Sequence, residues 1–288
     1  MKKDIFNLRR FGKYFAADIR RCAANYGLPM ALISFMGLFT YLLFGTFTLA
    51  MDGTWESADG SMRSFAFLLC TCILIVNMPV KCYGMVTDRK EGASWLMIPA
   101  STFEKFLSMT IMTAIAVPAV TIGAYLLTDM IICKADPACG TTLLAMIRDL
   151  FNLLGNFRIS AQMELSEFPA ISQFAEQMSS PWLYVDDAIQ ISLIFLFGAV
   201  FFKSGKTSKT ILSVIVLAMA FSMAATPLMS HIFSSFTADL QMETPENLNN
   251  LFSTGLFRHA ALIDTVNDTM VNLALLAGIF FRVKTLKH

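Results

Sequence analysis

Histidine residues and a Gly-Lys-Thr motif are the first candidates for chemistry in this chain. The three histidines, His231, His259 and His288, form no HExxH motif or i, i+4 pair that would bind zinc. The segment KSGKTSKT, Lys203–Thr210, resembles the end of a phosphate-binding loop, but GxxxxGK[ST] would require glycine where the chain has Val200. We therefore expect no enzyme active site, no ATP site, no metal and no other cofactor.

Six cysteines form the second set of reactive side chains, and their spacing matches no paired CxxC zinc pattern. Cys70 and Cys72, with 19 methionines in the chain, would suit copper, but no Met cluster adjoins them. Methionine commonly packs helices, which is the simpler interpretation. Cys133 and Cys139 enclose the segment CKADPAC. An oxidising compartment would favour a disulfide between them, and two free thiols are the alternative.

The overall composition is that of a membrane protein. Of 288 residues, 56% are hydrophobic and 15% are charged, whereas soluble domains have about 25% charged residues. A membrane-spanning helix needs about 20 mostly apolar residues. We therefore expect an all-α membrane protein whose residues 28–288 form a transmembrane domain of six helices, at 28–50, 65–83, 106–132, 184–202, 210–233 and 263–281. The net charge of +1 gives no indication of a nucleic-acid partner.

The distribution of basic residues predicts the orientation of these spans. Six spans place both termini on one side, and that side holds all but five of the 22 Lys and Arg residues; the five are Arg63, Lys134, Arg148, Arg158 and Arg258. The positive-inside rule therefore places both termini and the loops 84–105 and 203–209 in the cytoplasm. We expect a multi-pass protein of the bacterial inner membrane, with outer segments at residues 133–183 and 234–262.

Residues 1–27 have the pattern of an amphipathic helix. Apolar residues, among them Phe11, Phe15 and Ile19, recur at three- and four-residue spacing, and Arg and Lys occupy much of the remainder. Such a helix lies flat on the membrane, with its apolar stripe at the acyl boundary and its cations near anionic headgroups. Gly27 and Pro29 are expected to end it. A simple positive-inside anchor is the alternative interpretation.

The segment DRKEGASWLMIPASTFEKFL, Asp88–Leu107, joins the second and third predicted spans. Gly92–Ile98 is able to form a short helix that Pro99 would end. Ser101 and Glu104 have the S-x-x-E spacing of a capping box at the start of the next helix. The pattern predicts a short interfacial helix, a break and a capped membrane helix. A loop whose charges only fix the topology is the alternative.

This segment resembles the first cytoplasmic loop of ABC exporter permeases of the second type. In that family the loop is often ERExGTxExLxxxPxSxxxxxxK, and this chain supplies Glu91, Gly92, Ser94, Trp95, Leu96, Pro99, Ser101 and Lys105. The acid that follows the family's Gly-Thr pair is missing, with Ser94 and Trp95 in its place. The predicted elbow helix, six spans, internal termini and outer segment before the last span are also similar to the family's architecture.

The resemblance implies that this loop is a coupling helix that docks into a groove on a separate ATPase subunit. The residues expected to contact the ATPase are Glu91, Gly92, Ser94, Trp95, Leu96, Pro99 and Ser101. An exposed Trp95 or Leu96 would be the side chain that packs into the groove. The resemblance also implies a second permease copy, identical or different, within the lipid bilayer. Because no charged residue lies in the middle of a predicted span, we expect an apolar or amphipathic substrate.

Two other functions are compatible with the sequence. A non-transporting membrane sensor or scaffold would keep the same loop for binding a partner. An ion-coupled carrier would bury ionisable residues at mid-depth, whereas the deepest strongly polar side chains in the predicted spans are Asn77 and Asn272.

Overall fold

A computed structural model describes residues 6–136, 139–149, 181–239 and 260–286, and the regular secondary structure in these ranges is helical. A 3₁₀ turn, Gly84–Thr87, follows the third helix, and a π-helical turn, Met112–Ala116, joins the fifth to the sixth. Residues 143–149 are also helical. The α-helices named here are α1 (Leu8–Ser34), α2 (Met36–Asp52), α3 (Gly60–Tyr83), α4 (Arg89–Met97), α5 (Thr102–Ile111), α6 (Val117–Ala135), α7 (Pro181–Phe201), α8 (Lys206–Asp239) and α9 (Ala260–Thr285). Most of the two predicted outer segments, namely residues 150–180 and 240–259, lies outside the described residues.

Four helical stretches of the described residues are long and apolar enough to cross a membrane, namely 60–87, 102–135, 206–223 and 265–285. The pair α1 and α2, bent by 41°, would together make a fifth. The chain is therefore all-helical in the part that the structure describes, with four to five candidate membrane-spanning helices. Helix α7 occupies most of the predicted fourth span, 184–202.

The chain divides into two compact units, which we describe separately. The first contains residues 1–148, 189–210 and 274–288, and the second contains 149–188 and 211–273. In the second unit α8 and α9 expose many apolar side chains, including Phe221, which is 76% exposed. There the Nδ2 atom of Asn272 donates a hydrogen bond of 3.1 Å to Oδ1 of Asp186. Exposed apolar helix faces of this kind suit contact with lipid.

Helix α1 continues through Gly27 and Pro29, so the prediction that these residues end the N-terminal helix at position 27 is wrong. Tyr26 is buried and Met30 packs against the same core cluster, so tertiary packing on both sides outweighs the missing proline N–H. The helix ends instead at Ser34, whose Oγ atom donates to the carbonyl of Met30. The first predicted span is consequently divided between α1 and α2.

The π-helical turn Met112–Ala116 ends two residues before Pro118, which lies within the predicted third span, 106–132. Proline lacks the N–H that would bond four residues back, and a π turn absorbs such an interruption without ending the helix. Within the turn, the hydroxyl of Thr113 is buried and has no hydrogen-bond partner among the described residues. This turn is the point at which the backbone ladder of the α5–α6 rod is irregular.

A buried ion pair joins α3 to α6 at the end of the first unit opposite α4. The guanidinium Nη1 of Arg63 lies 2.8 Å from Oδ1 of Asp129, and both side chains are 3% exposed. Oδ2 of Asp129 also accepts a hydrogen bond of 2.6 Å from the backbone N–H of Leu143. Arg63 is near the start of α3 and Asp129 is near the end of α6, so the pair lies towards one end of both helices.

The same end contains a disulfide, and we call it the disulfide end. Cys133 and Cys139 are bonded, with their Cα atoms 5.0 Å apart. Nη2 of Arg63 donates to the carbonyls of Cys139 and Thr141, at 2.9 and 2.7 Å. The loop closed by the disulfide is therefore held against α3 by the same guanidinium that pairs with Asp129. The opposite end of the unit, where α3 ends and α5 begins, we call the α4 end.

Replacing one partner of the ion pair should destabilise the protein more than replacing both partners with apolar residues. We expect Arg63→Met to lower the free energy of unfolding in mixed detergent micelles by roughly 3–5 kcal/mol, because Asp129 stays buried without its cation. The double variant Arg63→Met/Asp129→Leu should recover much of that loss. Lys134→Met, at an exposed position of α6, is the matched control. An unfolding free energy of Arg63→Met equal to that of the control would contradict this interpretation.

Candidate functional site

The segment that resembles a coupling helix forms a platform of α4 and the turn that follows it. We call residues 89–100 the α4 platform. Gly92 and Trp95 face the protein interior, Leu96 is half-buried, and Ser94 and Pro99 are exposed. Ser101 lies just beyond the platform and caps α5. The side chain of Glu91 lies outside the described residues.

The start of α4 is held by a lysine from the motif that resembles a phosphate-binding loop. Nζ of Lys206 donates to the carbonyl of Gly84 and lies 3.2 Å from Oδ1 of Asp88, the residue before α4. The hydroxyl of Thr87 donates to the carbonyl of Phe202 at 3.3 Å. Lys206 therefore supports the α4 platform. In the sequence, Lys206 belongs to the segment KSGKTSKT, which lacks the first glycine of a phosphate-binding loop. No sequence pattern connects Lys206 to Asp88.

Trp95 is buried, so the prediction that it is an exposed packing knob is wrong. Its side chain is 1% exposed, and its indole Nε1–H donates to the hydroxyl of Tyr14 on α1 at 3.1 Å. A large aromatic ring gains more from burial than from exposure, provided that its N–H finds a partner. Because α4 turns once in 3.6 residues, burying Trp95 directs other positions outward. Met97 is the exposed apolar residue, at 83%.

Lys105 fixes the other end of α4. Its Nζ donates to the carbonyls of Trp95 and Leu96, at 3.0 and 3.1 Å, and lies 4.8 Å from the centre of the Trp95 ring. The last carbonyls of a helix have no partner within it and carry partial negative charge, so an ammonium group stabilises them. Lys105 was one of the residues that carried the resemblance to the family's loop, and the structure gives it the role of a C-terminal cap for α4.

The predicted capping box at the start of α5 is confirmed. The hydroxyl of Ser101 accepts from the N–H of Glu104, and the carboxylate of Glu104 accepts from the N–H of Ser101. The same carboxylate accepts two bonds from Arg10, from Nε at 2.8 Å and from Nη2 at 2.9 Å, and one from the N–H of Asn7 at 2.9 Å. Glu104 is fully buried, so these contacts join the beginnings of α1 and α5.

A second buried carboxylate, that of Asp18, joins α1 to α3 and α5. It accepts from the hydroxyl of Tyr83 at 2.9 Å and from that of Ser108 at 2.5 Å, and it pairs with Arg21. Asp18 lies four residues after Tyr14, on the face of α1 that turns inward in the structure. The sequence pattern predicted an amphipathic helix on the membrane surface, and such a helix gives no reason to expect that Asp18 is buried.

The three residues predicted to place the elbow helix in the membrane form one side of α1. Phe11 and Phe15 are half-buried with ring centres 5.7 Å apart, and Ile19 is 44% exposed. These three side chains are therefore available for apolar contact. The placement of this stripe at an acyl boundary stays a prediction.

The α4 platform is a short anchored helix with an exposed apolar tip. The tip of the α4 platform is an apolar protrusion of Met97, Ile98 and Pro99, and both ends of α4 are tied to neighbouring elements. Within the part of the chain that the structure describes, no group of three or more His, Cys, Asp or Glu residues is placed to hold a metal ion. The side chains of His231, His259 and His288 lie outside that part.

Removing the cap on α4 should loosen the platform. We expect Lys105→Met to raise the hydrogen-exchange rates of the α4 amides by roughly tenfold or more, because two charge-assisted hydrogen bonds to its final carbonyls are lost. Lys81→Met, at an exposed position of α3, is the matched control and should leave those rates unchanged. Equal exchange in the two variants would show that Lys105 does not hold α4.

No protein-family model matches this chain, and neither curated proteins nor solved structures show significant similarity to it.

Proposed function

We propose that this chain is the membrane permease subunit of an ABC exporter and binds a separate ATPase through the α4 platform. One observation carries the proposal: a short helix presents an exposed apolar tip, Met97, while its buried face is anchored to α1 and α5 through Trp95 and Lys105. An apolar protrusion on a fixed base is what a docking partner needs in order to move membrane helices. The resemblance of this segment to the first cytoplasmic loop of ABC exporter permeases is the reason for proposing an ATPase as the partner.

The proposal includes a topology of six spans. These are α2 with the end of α1, α3, the rod of α5 and α6, and then α7, α8 and α9. The beginning of α1 is the interfacial elbow helix. The excess of Lys and Arg in segments near the termini and between α3 and α5 supports a cytoplasmic position for both termini and for the α4 platform. The membrane is the bacterial inner membrane.

The contacts of the platform suggest how force would reach the membrane. A push on Met97 acts on α4, whose final carbonyls are bonded to Lys105 of α5 and whose Trp95 is bonded to Tyr14 of α1. Asp18 in turn joins α1 to α3 through Tyr83. Displacement of the tip would therefore move three helices together. Two permease copies, each driven by an ATPase, would line one pathway and open it alternately to the two sides.

The buried charges are consistent with an apolar or amphipathic substrate, such as a lipid, a peptide or a hydrophobic drug. The acids Asp18, Glu104 and Asp129 are each paired with a cation of the chain. These charges are therefore already neutralised and are poorly suited to binding a coupling ion. This favours an ATP-driven exporter over an ion-coupled carrier.

Crosslinking from the tip should capture the ATPase. A photoreactive amino acid at Met97 of the full-length protein, expressed in its native membranes, is expected to yield an adduct with a soluble protein containing a phosphate-binding loop. The same probe at Met51, which is 70% exposed near the end of α2, is the control and should not capture it. Adducts from Met97 that contain no such ATPase, identified by mass spectrometry, would refute the proposal.

A charge at the tip should uncouple the two subunits. We expect Met97→Asp to lower the amount of co-purified ATPase by tenfold or more, as for a central apolar residue of an interface, and Met51→Asp to leave it unchanged. In proteoliposomes the bound ATPase should hydrolyse ATP faster when substrate is added. Binding without any such stimulation would indicate a scaffold, and transport without the ATPase would indicate a carrier.

A further inference from the structure

We propose that the beginning of α1 forms a second half of the docking surface, a basic cleft that binds acidic side chains of the ATPase beside the groove that receives Met97. The inference rests on the proposed function and adds to it the chemistry of the partner's surface. The cleft lies between α1 and the turn after α4, so one partner surface would contact both. We call it the α1 cleft.

The α1 cleft is a cavity of about 630 Å³ with one basic and one apolar wall. Arg9, Arg10 and Lys13 of α1 line the basic wall, and Ile98 and Pro99 line the other. The apolar wall belongs to the same turn that carries the exposed tip of the α4 platform. A partner that packs on Met97 would therefore be next to this cleft, because Met97 adjoins Ile98 in the chain.

Two of the three cations in the cleft are not neutralised within the described part of the chain. Arg10 is paired with the buried carboxylate of Glu104. Arg9 and Lys13 are exposed, and neither side chain has an ion pair or hydrogen bond among the described residues. They are four residues apart on one helix, so they repel each other on the same face. Acidic side chains of a partner would relieve that repulsion and complement the charge.

The direction of the cleft favours a protein partner over lipid headgroups. Lys13 and Ala17 line the cleft, whereas Phe15 and Ile19 belong to the apolar stripe. Phe15 follows Lys13 by two residues, and Ile19 follows Ala17 by two. At about 100° per residue, the cleft and the stripe project from nearly opposite sides of α1, roughly 160° apart. If Phe15 and Ile19 meet the acyl boundary, the cleft faces the aqueous phase, as does the tip of the α4 platform.

Both walls of the cleft are already fixed in place. The bidentate contact between Arg10 and Glu104 holds α1 to the start of α5, and the bond from Trp95 to Tyr14 holds α4 to α1. Binding would therefore need little ordering of the backbone, which favours affinity. The expected partner surface is an apolar depression for Met97 with at least two Asp or Glu side chains along one edge.

The test uses full-length protein in nanodiscs with the ATPase recovered from the Met97 adduct. The yield of that adduct is measured for the charge-reversed variant Arg9→Glu/Lys13→Glu, for the charge-preserving variant Arg9→Lys/Lys13→Arg, and for Arg20→Glu. Arg20 is exposed on the same helix and is not part of the cleft. We expect charge reversal to lower the yield at least fivefold and the two controls to stay within twofold of the wild type.

The outcomes separate this inference from the proposed function. If Met97 captures the ATPase and the yield is unaffected by charge reversal, the α1 cleft is not a docking surface, although the proposed function stands. If Met97 captures no ATPase, both fail. If charge reversal matters only when the nanodisc contains anionic lipid, the cleft binds headgroups and the inference is wrong. Rescue of the charge-reversed variant by a lysine in place of an acidic residue of the ATPase would confirm direct pairing.

Discussion

The pairing of two buried carboxylates determines how the α4 end of this protein is arranged. Asp18 and Glu104 are both removed from water, and an unpaired carboxylate at such depth would cost several kcal/mol. Each therefore requires donors from another helix. Glu104 receives them from Arg10 on α1, and Asp18 receives them from Tyr83 on α3 and Ser108 on α5. Helix α1 is thereby held in one register against α3 and α5, and the position of α4 follows from that register.

Local signals in the sequence predicted the helices well where the chemistry is local. The capping box of Ser101 and Glu104 and the end of α4 before Pro99 depend on residues within a few positions of each other, and both are present. The apolar runs from residue 65 onward lie within a few residues of the observed helix bounds, whereas the run 28–50 crosses the break between α1 and α2. The continuation of α1 through Pro29 was missed, because it depends on packing against a distant core cluster.

The contacts that create the candidate site were not predictable in the same way. Trp95 is bonded to a residue 81 positions away, and Lys206 supports a helix 118 positions away. A sequence motif shows which residue types recur at a spacing, but not which face of a short helix turns inward. Trp95 and not Met97 is buried because Tyr14 accepts a hydrogen bond from the indole N–H and Lys105 lies over the ring. Of the two residues predicted as the exposed knob, Trp95 is buried and Leu96 is half-buried, whereas Met97 is exposed.

The anchors at the two ends of α3 constrain any motion that begins at α4. At the disulfide end Arg63 ties α3 to α6, and at the α4 end Asp18 ties Tyr83 of α3 to Ser108 of α5. Because α5 and α6 form one rod, α3 and that rod are fastened near both ends and should tilt as a pair. Between the fastenings lies the π-helical turn Met112–Ala116, where Pro118 removes a backbone donor. In the proposed exporter a push on the α4 platform would tilt α3 and the rod together, and any bending of the rod would be concentrated at this turn, because its backbone ladder is already interrupted there.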